Sequence, residues 1–189
     1  MNPIKLWRAL FLPKNNGWSN NEVRQADILL LFTFIAFFVG VYSLIKWTKH
    51  EEQLLIATSV FLIVFELLSA LLLRVTSKPS LALNFGFVGM AVHALNIIYQ
   101  SGGVVASTQA YWVPLLVVAF FLSGTRIVAL VWSGLVIGVS LVMTSAHLNG
   151  FAFPQLELTP DAVVAETWSG VIMPLVVICI AQAFTAKQK

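Results

Sequence analysis

Charge is what this sequence has least of: Asp, Glu, Lys and Arg make up 10% of 189 residues, whereas a soluble domain carries about 25%. That shortage excludes an ordinary water-facing surface over most of the chain. Cysteine is nearly absent too. The lone Cys179 can form no internal disulfide and supplies no metal cluster. Neither an H-E-x-x-H pair nor a P-loop occurs, so the usual residues of metalloprotease and phosphate chemistry are missing. The N-terminal stretch holds Asn15, Asn16, Gly17, Asn20 and Asn21 where a signal peptide needs its apolar core, so no cleavable export signal is expected.

Apolar residues are abundant, at 59% of the chain with a mean hydropathy of +0.89. A helix needs about 20 of them to cross a hydrocarbon core of roughly 30 Å. Six runs approach that length, over residues 28–45, 54–73, 81–99, 104–122, 127–146 and 162–184. Backbone cannot face lipid unpaired, so each run predicts a transmembrane helix. The expected fold is all-α: an integral membrane six-helix bundle over residues 28–186, preceded by an N-terminal arm over residues 1–27. The lipid bilayer is the first partner, and the first span must itself direct insertion.

The net charge of +3 and pI near 9.2 do not mark a nucleic-acid binder, because the basic residues stand in ones and twos between apolar runs. Their positions carry topology. Lys5, Arg8, Lys14, Arg24, Arg74, Lys78, Arg126, Lys187 and Lys189 fall on one side. The other side has only Lys46 and Lys49 and collects Glu51, Glu52, Glu157, Asp161 and Glu166. The positive-inside rule makes the first side cytoplasmic, with both termini on it.

Residues 2–12 align Ile4, Trp7, Leu10 and Phe11 on one stripe ahead of Pro13, which reads either as a short interfacial helix or as a frayed tail. The loop over residues 149–161 is acidic and carries Pro154 and Pro160; it caps a pocket or simply connects. Trp-Ser-Gly occurs at Trp132 and again at Trp168, on helices of opposite direction, and the repetition reads as chance. Gly134 and Gly138 form a G-x-x-x-G surface suited to close packing, within one bundle or between two copies.

An ionisable group inside a bilayer costs at least a few kcal/mol and marks either a function or a buried partner. Glu66 lies near the middle of the second run and His93 a little outside the middle of the third. Glu66 reads as a strut between helices, as the floor of a ligand cavity, or as the proton or cation site of a small transporter. His93, Asn96 and Gln100 share one face at spacings of three and four, while Gln109, Tyr111, Trp112 and Pro114 begin the fourth run. Donors, acceptors and aromatic walls on adjacent helices are what a small-molecule site needs; Tyr99, Tyr111 and Trp168 also suit an interfacial belt. The candidate ligand-binding set is Glu66, His93, Asn96, Gln109, Tyr111 and Trp112. No cofactor is expected. Haem between two histidines is disfavoured, because of His50, His93 and His147 only His93 is clearly at membrane depth. A serine protease pairing of Ser123 with His93 or His147 fails because they stand at opposite ends of the bundle. No catalytic and no metal-ligating set is expected.

The stretch QSGGVVASTQAYWVPLLVVAFFLSGTRIVALVWSGL, residues 100–135, carries an ordered set of Gly102, Gly103, Ser107, Trp112, Pro114, Gly124, Arg126 and Trp132. It resembles the six-transmembrane input module found ahead of bacterial histidine kinases and diguanylate cyclases, and the layout over about residues 28–186 is similar to the sensor half of quorum-sensing kinases that detect long-chain hydroxyketones. In that family Ser is commonly followed by Pro; here Ser107 is followed by Thr108. The resemblance implies a bacterial inner-membrane sensor without catalytic activity of its own, a homodimer joined to a kinase or cyclase. It implies a small apolar or amphipathic ligand in the outer half of the bundle, and a sixth helix that carries the signal inward. Residues 187–189 would then start a cytoplasmic signalling helix.

Overall fold

Ser19 opens the first long helix, because its hydroxyl caps the Glu22 N–H while the Glu22 carboxylate accepts from the Ser19 N–H at 2.9 Å. This reciprocal cap satisfies amides that a helix start leaves without partners. The computed structural model describes residues 3–13, 17–156 and 160–186, with side chains placed up to residue 180 except at 160–162. Lys14, Glu157, Lys187 and Lys189, and the side chain of Asp161, lie outside that set.

Helix α1 spans Pro3–Phe11, α2 Asn20–Lys49, α3 Gln53–Thr76 and α4 Pro79–Gln100. A one-turn α5, Gly103–Ala106, and a tight 3₁₀ turn, Thr108–Tyr111, lead into α6, Trp112–Ser123; α7 is Arg126–Leu148. The last helix runs as α8, Pro160–Thr167, then a widened turn over Trp168–Ile172, then α9, Met173–Ala186. Among the described residues there is no strand.

Five helices are long and apolar enough to cross a membrane: Asn20–Lys49, Gln53–Thr76, Pro79–Gln100, Arg126–Leu148 and Val163–Ile180. That is the mark of a multi-pass membrane protein in contact with lipid. The run expected as a fourth span, residues 104–122, is not one helix. Gly102 and Gly103 take φ of +102° and +76°, a left-handed turn that β-carbons resist. The 12 residues of α6 cover only about 18 Å at 1.5 Å each. The first span is longer than its apolar run, because the cap at Ser19 sets its start.

Tertiary packing centres on the α2–α3–α4 meander. Ser77, at φ 54°, ends α3 in the left-handed region, and Pro79 opens α4, so the two helices return antiparallel through a tight turn. Phe87 of α4, Phe120 of α6 and Trp132 of α7 form an aromatic cluster with ring centroids 4.5–6.1 Å apart. The Trp132 indole also donates to Asn84 Oδ1 at 2.8 Å. Helix α1 folds back along α2. Trp7 donates to Thr33 Oγ1 at 3.2 Å, Arg8 pairs with Asp27 at 2.6 Å, and Arg74 donates to the Leu10 carbonyl. The amphipathic stripe is thus split: Trp7 and Phe11 pack on the bundle, while Leu10 is half exposed.

Candidate functional site: a buried ion pair above an apolar cavity

Lys46 sits one turn from the end of α2, and its side chain is only 8% exposed. Its ammonium lies 3.1 Å from Glu166 Oε1, 3.4 Å from Ser169 Oγ and 4.3 Å from the centre of the Trp47 ring. Glu166 belongs to α8 and is equally enclosed, with a side-chain exposure of 6%. Two charges leave water only if each is paired and its remaining sites are bonded. Here Gln109 Nε2 donates to Glu166 Oε2, to the Glu166 carbonyl at 3.1 Å and to Ser169 Oγ at 3.1 Å. The Trp112 indole donates to the Ser169 carbonyl at 3.0 Å. Three elements therefore meet on one carboxylate, α2, the 3₁₀ turn and the last helix itself through Ser169 Oγ, while the start of α6 holds the last helix at the Ser169 carbonyl.

Local sequence explains why these backbones can meet. Ser107 caps the 3₁₀ turn, accepting from the Gln109 N–H at 3.1 Å. Pro174 can give no N–H to the turn before it, and its ring crowds the carbonyl four residues back. The helix widens there, with the Met173 N–H reaching back to the Trp168 carbonyl. Gly170 lies within that wide turn. A β-carbon on it would stand 2.6 Å from the Thr108 carbonyl oxygen and 2.9 Å from Gln109 Nε2, so only glycine admits this approach. Such wide turns are frequent at functional sites.

Below the ion pair lies a cavity of about 70 Å³, several times the roughly 10–15 Å³ that one water needs. Its walls are apolar side chains of α2, α4, α6 and α9, from Phe32 and Ala119 at one end to Ile97 and Trp47 at the other, with Lys46, Gln109 and Ser169 at the polar rim. Phe32 and Lys46, both lining residues, are 14 residues apart on one helix, so the lining extends about 21 Å along α2. Two buried polar atoms on cavity-lining residues lack a hydrogen-bond partner among the described residues: Trp47 Nε1 and His93 Nε2. On the far side of Glu166 a wider crevice of about 290 Å³ opens among the hydroxyls of Ser101, Ser107, Thr108 and Thr167.

Of the six expected ligand-binding residues, His93, Gln109 and Trp112 line the cavity. Glu66 does not border it. Its carboxyl lies against the glycine face of α4, where a β-carbon on Gly86 or Gly89 would come within 3.3 or 3.5 Å, and neither oxygen has a hydrogen-bond partner among the described residues. Asn96 braces α4 on α3, donating to Thr58 Oγ1 at 3.1 Å. Tyr111 points outward, 58% exposed. His93 Nδ1 meets the same Thr58 hydroxyl at 3.3 Å, so Glu66 and His93 have separate surroundings. His50 and His147 are not among the residues lining the cavity, and among the described residues no three His, Cys, Asp or Glu side chains cluster as metal ligands do.

Charge sorting assigned Lys46 and Glu166 to loop ends and so missed them as a pair. The available signal was that each stands at the edge of an apolar run. The ordered set in residues 100–135 has structural roles. Gly102 and Gly103 make the left-handed turn, Gly103 lying close under Phe153, while Ser107 caps, Trp112 reaches the last helix, Pro114 lies in the first turn of α6, and Gly124 and Arg126 turn α6 into α7. The two Trp-Ser-Gly copies meet different surroundings: Gly170 is crowded, while a β-carbon on Gly134 or Gly138 would find no neighbour within 4 Å. No protein-family model, no curated protein and no solved structure matches the chain.

Proposed function

We propose that this chain is the membrane-embedded sensing domain of a bacterial signal-transduction protein, a histidine kinase or diguanylate cyclase. On this reading it crosses the inner membrane six times with both termini cytoplasmic, the segment from α5 through α6 completing the fourth passage, and works as a homodimer. A small apolar or amphipathic ligand enters the outer half of the bundle and biases the position of the last helix. The supporting observation is that Lys46, at the rim of the apolar cavity, is tied by an ion pair to Glu166 on the last helix, just before that helix widens. A ligand shifts an equilibrium only through a difference in affinity between two arrangements. A cavity walled partly by the element that must move supplies such a difference.

The test is thermal-shift screening of lipid extracts against wild-type protein and Trp112→Ala. The expected result is a stabilising fraction whose effect is lost in the variant; equal shifts in both proteins refute the pocket.

A second reading is favoured by Glu66, wholly buried and without a partner among the described residues. It makes the protein a small proton- or cation-coupled transporter. Glu66→Gln would then abolish uptake into proteoliposomes while leaving the fold intact, and absence of any transport removes this reading.

A further inference from the structure

We infer that the Glu166 carboxylate occupies, within the chain, a site built for the carboxylate of a single-chain amphiphile, and that such a ligand binds by displacing it from Lys46. This deepens the sensor reading and rests on it. The donors around Glu166 are those a free carboxylate would need: the Lys46 ammonium, Gln109 Nε2 and Ser169 Oγ, the last 3.3 Å from Oε2. Charge-assisted bonds of this kind are about twice as strong as neutral ones. The site lies at the rim of an apolar recess whose lining residues extend about 21 Å along α2, enough to run beside one extended alkyl chain. Lys46 is held on α2 by its contact with the Trp47 ring.

Exchange requires that neither carboxylate be stranded, because a buried charge without a partner is strongly destabilising. Lys46 passes from one carboxylate to the other. Glu166 has somewhere to go, since the hydroxyl-lined crevice on its other side is open and large enough for water. On the sensor reading, moving the carboxylate across that partition carries the start of the last helix with it; the exchange itself needs only the Glu166 side chain to swing. A neutral head group would leave the Lys46–Glu166 pair in place and so exert no such pull.

The experiment uses the full chain in lipid nanodiscs and measures binding of dodecanoate and of dodecanol. Variants are Glu166→Gln, Lys46→Gln and the double Lys46→Gln/Glu166→Gln, which keeps hydrogen-bonding groups without charge. Circular dichroism establishes that each is folded. The expected result is that dodecanoate binds at least about tenfold tighter than dodecanol, that Glu166→Gln tightens it further, and that the double variant loses the preference. Equal binding of acid and alcohol, or a preference kept in the double variant, overturns the inference. A label pair on α2 and α9 reads the sensor proposal separately. Selective dodecanoate binding without a distance change refutes sensing and leaves this site standing; a distance change driven equally by dodecanol does the reverse.

Discussion

Gly170→Ala adds one methyl group where the last helix meets the 3₁₀ turn. Its β-carbon would fall 2.6 Å from the Thr108 carbonyl oxygen and 2.7 Å from the Thr108 carbonyl carbon. Both contacts are with backbone, which has no rotamer to change, and ordinary contact begins at 3.4 Å, so the helix must retreat by about 0.8 Å. Overpacking of this kind costs about 1–3 kcal/mol. The retreat also stretches the bonds from Gln109 to Ser169 and from Trp112 to the Ser169 carbonyl, at 3.1 and 3.0 Å, each contributing about 0.5–1.5 kcal/mol. The total loss is about 2–6 kcal/mol. At about 2–4 °C per kcal/mol for a chain of this size, Tm falls by at least several degrees. The assay is thermal unfolding of the purified protein in detergent, followed by tryptophan fluorescence. Gly134→Ala is the control, because open space surrounds that position and alanine is the better helix former there. If Gly170→Ala and Gly134→Ala unfold at the same temperature, the close approach of the last helix to the 3₁₀ turn is wrong, and with it the polar junction above the cavity.

Other outcomes follow from the same geometry. Lys46→Leu leaves Glu166 buried without its cation and lowers stability by about 3–5 kcal/mol, whereas Lys46→Leu with Glu166→Leu costs far less; a double-mutant cycle on Tm checks this, and additive losses contradict the pairing. Glu66→Leu removes a buried carboxyl that has no hydrogen-bond partner among the described residues and should raise stability by about 1–3 kcal/mol; a lower Tm would show that Glu66 has a partner. Trp132→Phe keeps the aromatic cluster but drops the bond to Asn84 Oδ1, a loss of about 0.5–1.5 kcal/mol, and Asn84→Ala in the same background should add little further loss through that bond. An absorbance spectrum of the purified protein tests for haem at His93; a Soret band would overturn the expectation of no cofactor.

The chain announces its solvent without help from tertiary structure. Long apolar runs with so few charges can be satisfied only as helices in lipid, and the backbone's need for internal hydrogen bonds follows directly. The caps at Ser19 and Thr125 set the starts of their helices, whereas the apolar runs marked only residues 28 and 127. His93, Gln109 and Trp112 were readable as candidates because polar and aromatic groups stand out near the adjoining ends of two successive apolar runs, whereas the helical spacing that joined His93 to Asn96 and Gln100 did not decide which of them faces the cavity. Three things were not readable. Residues 104–122 look like an uninterrupted span by hydropathy, yet the Gly102–Gly103 turn and the Ser107 cap divide them, since hydropathy averages over backbone angles. Glu66 and Asn96 turn toward the interface of α3 and α4 and not into the cavity, because helix rotation is set by which neighbour packs where. The pairing of Lys46 with Glu166 spans most of the chain, and only the wide turn at Pro174 and the missing side chain of Gly170 bring those two charges together. Composition determined the medium and the secondary structure; the close approach of one helix to one turn decided where the charges meet, because that depends on the shape of two distant backbones.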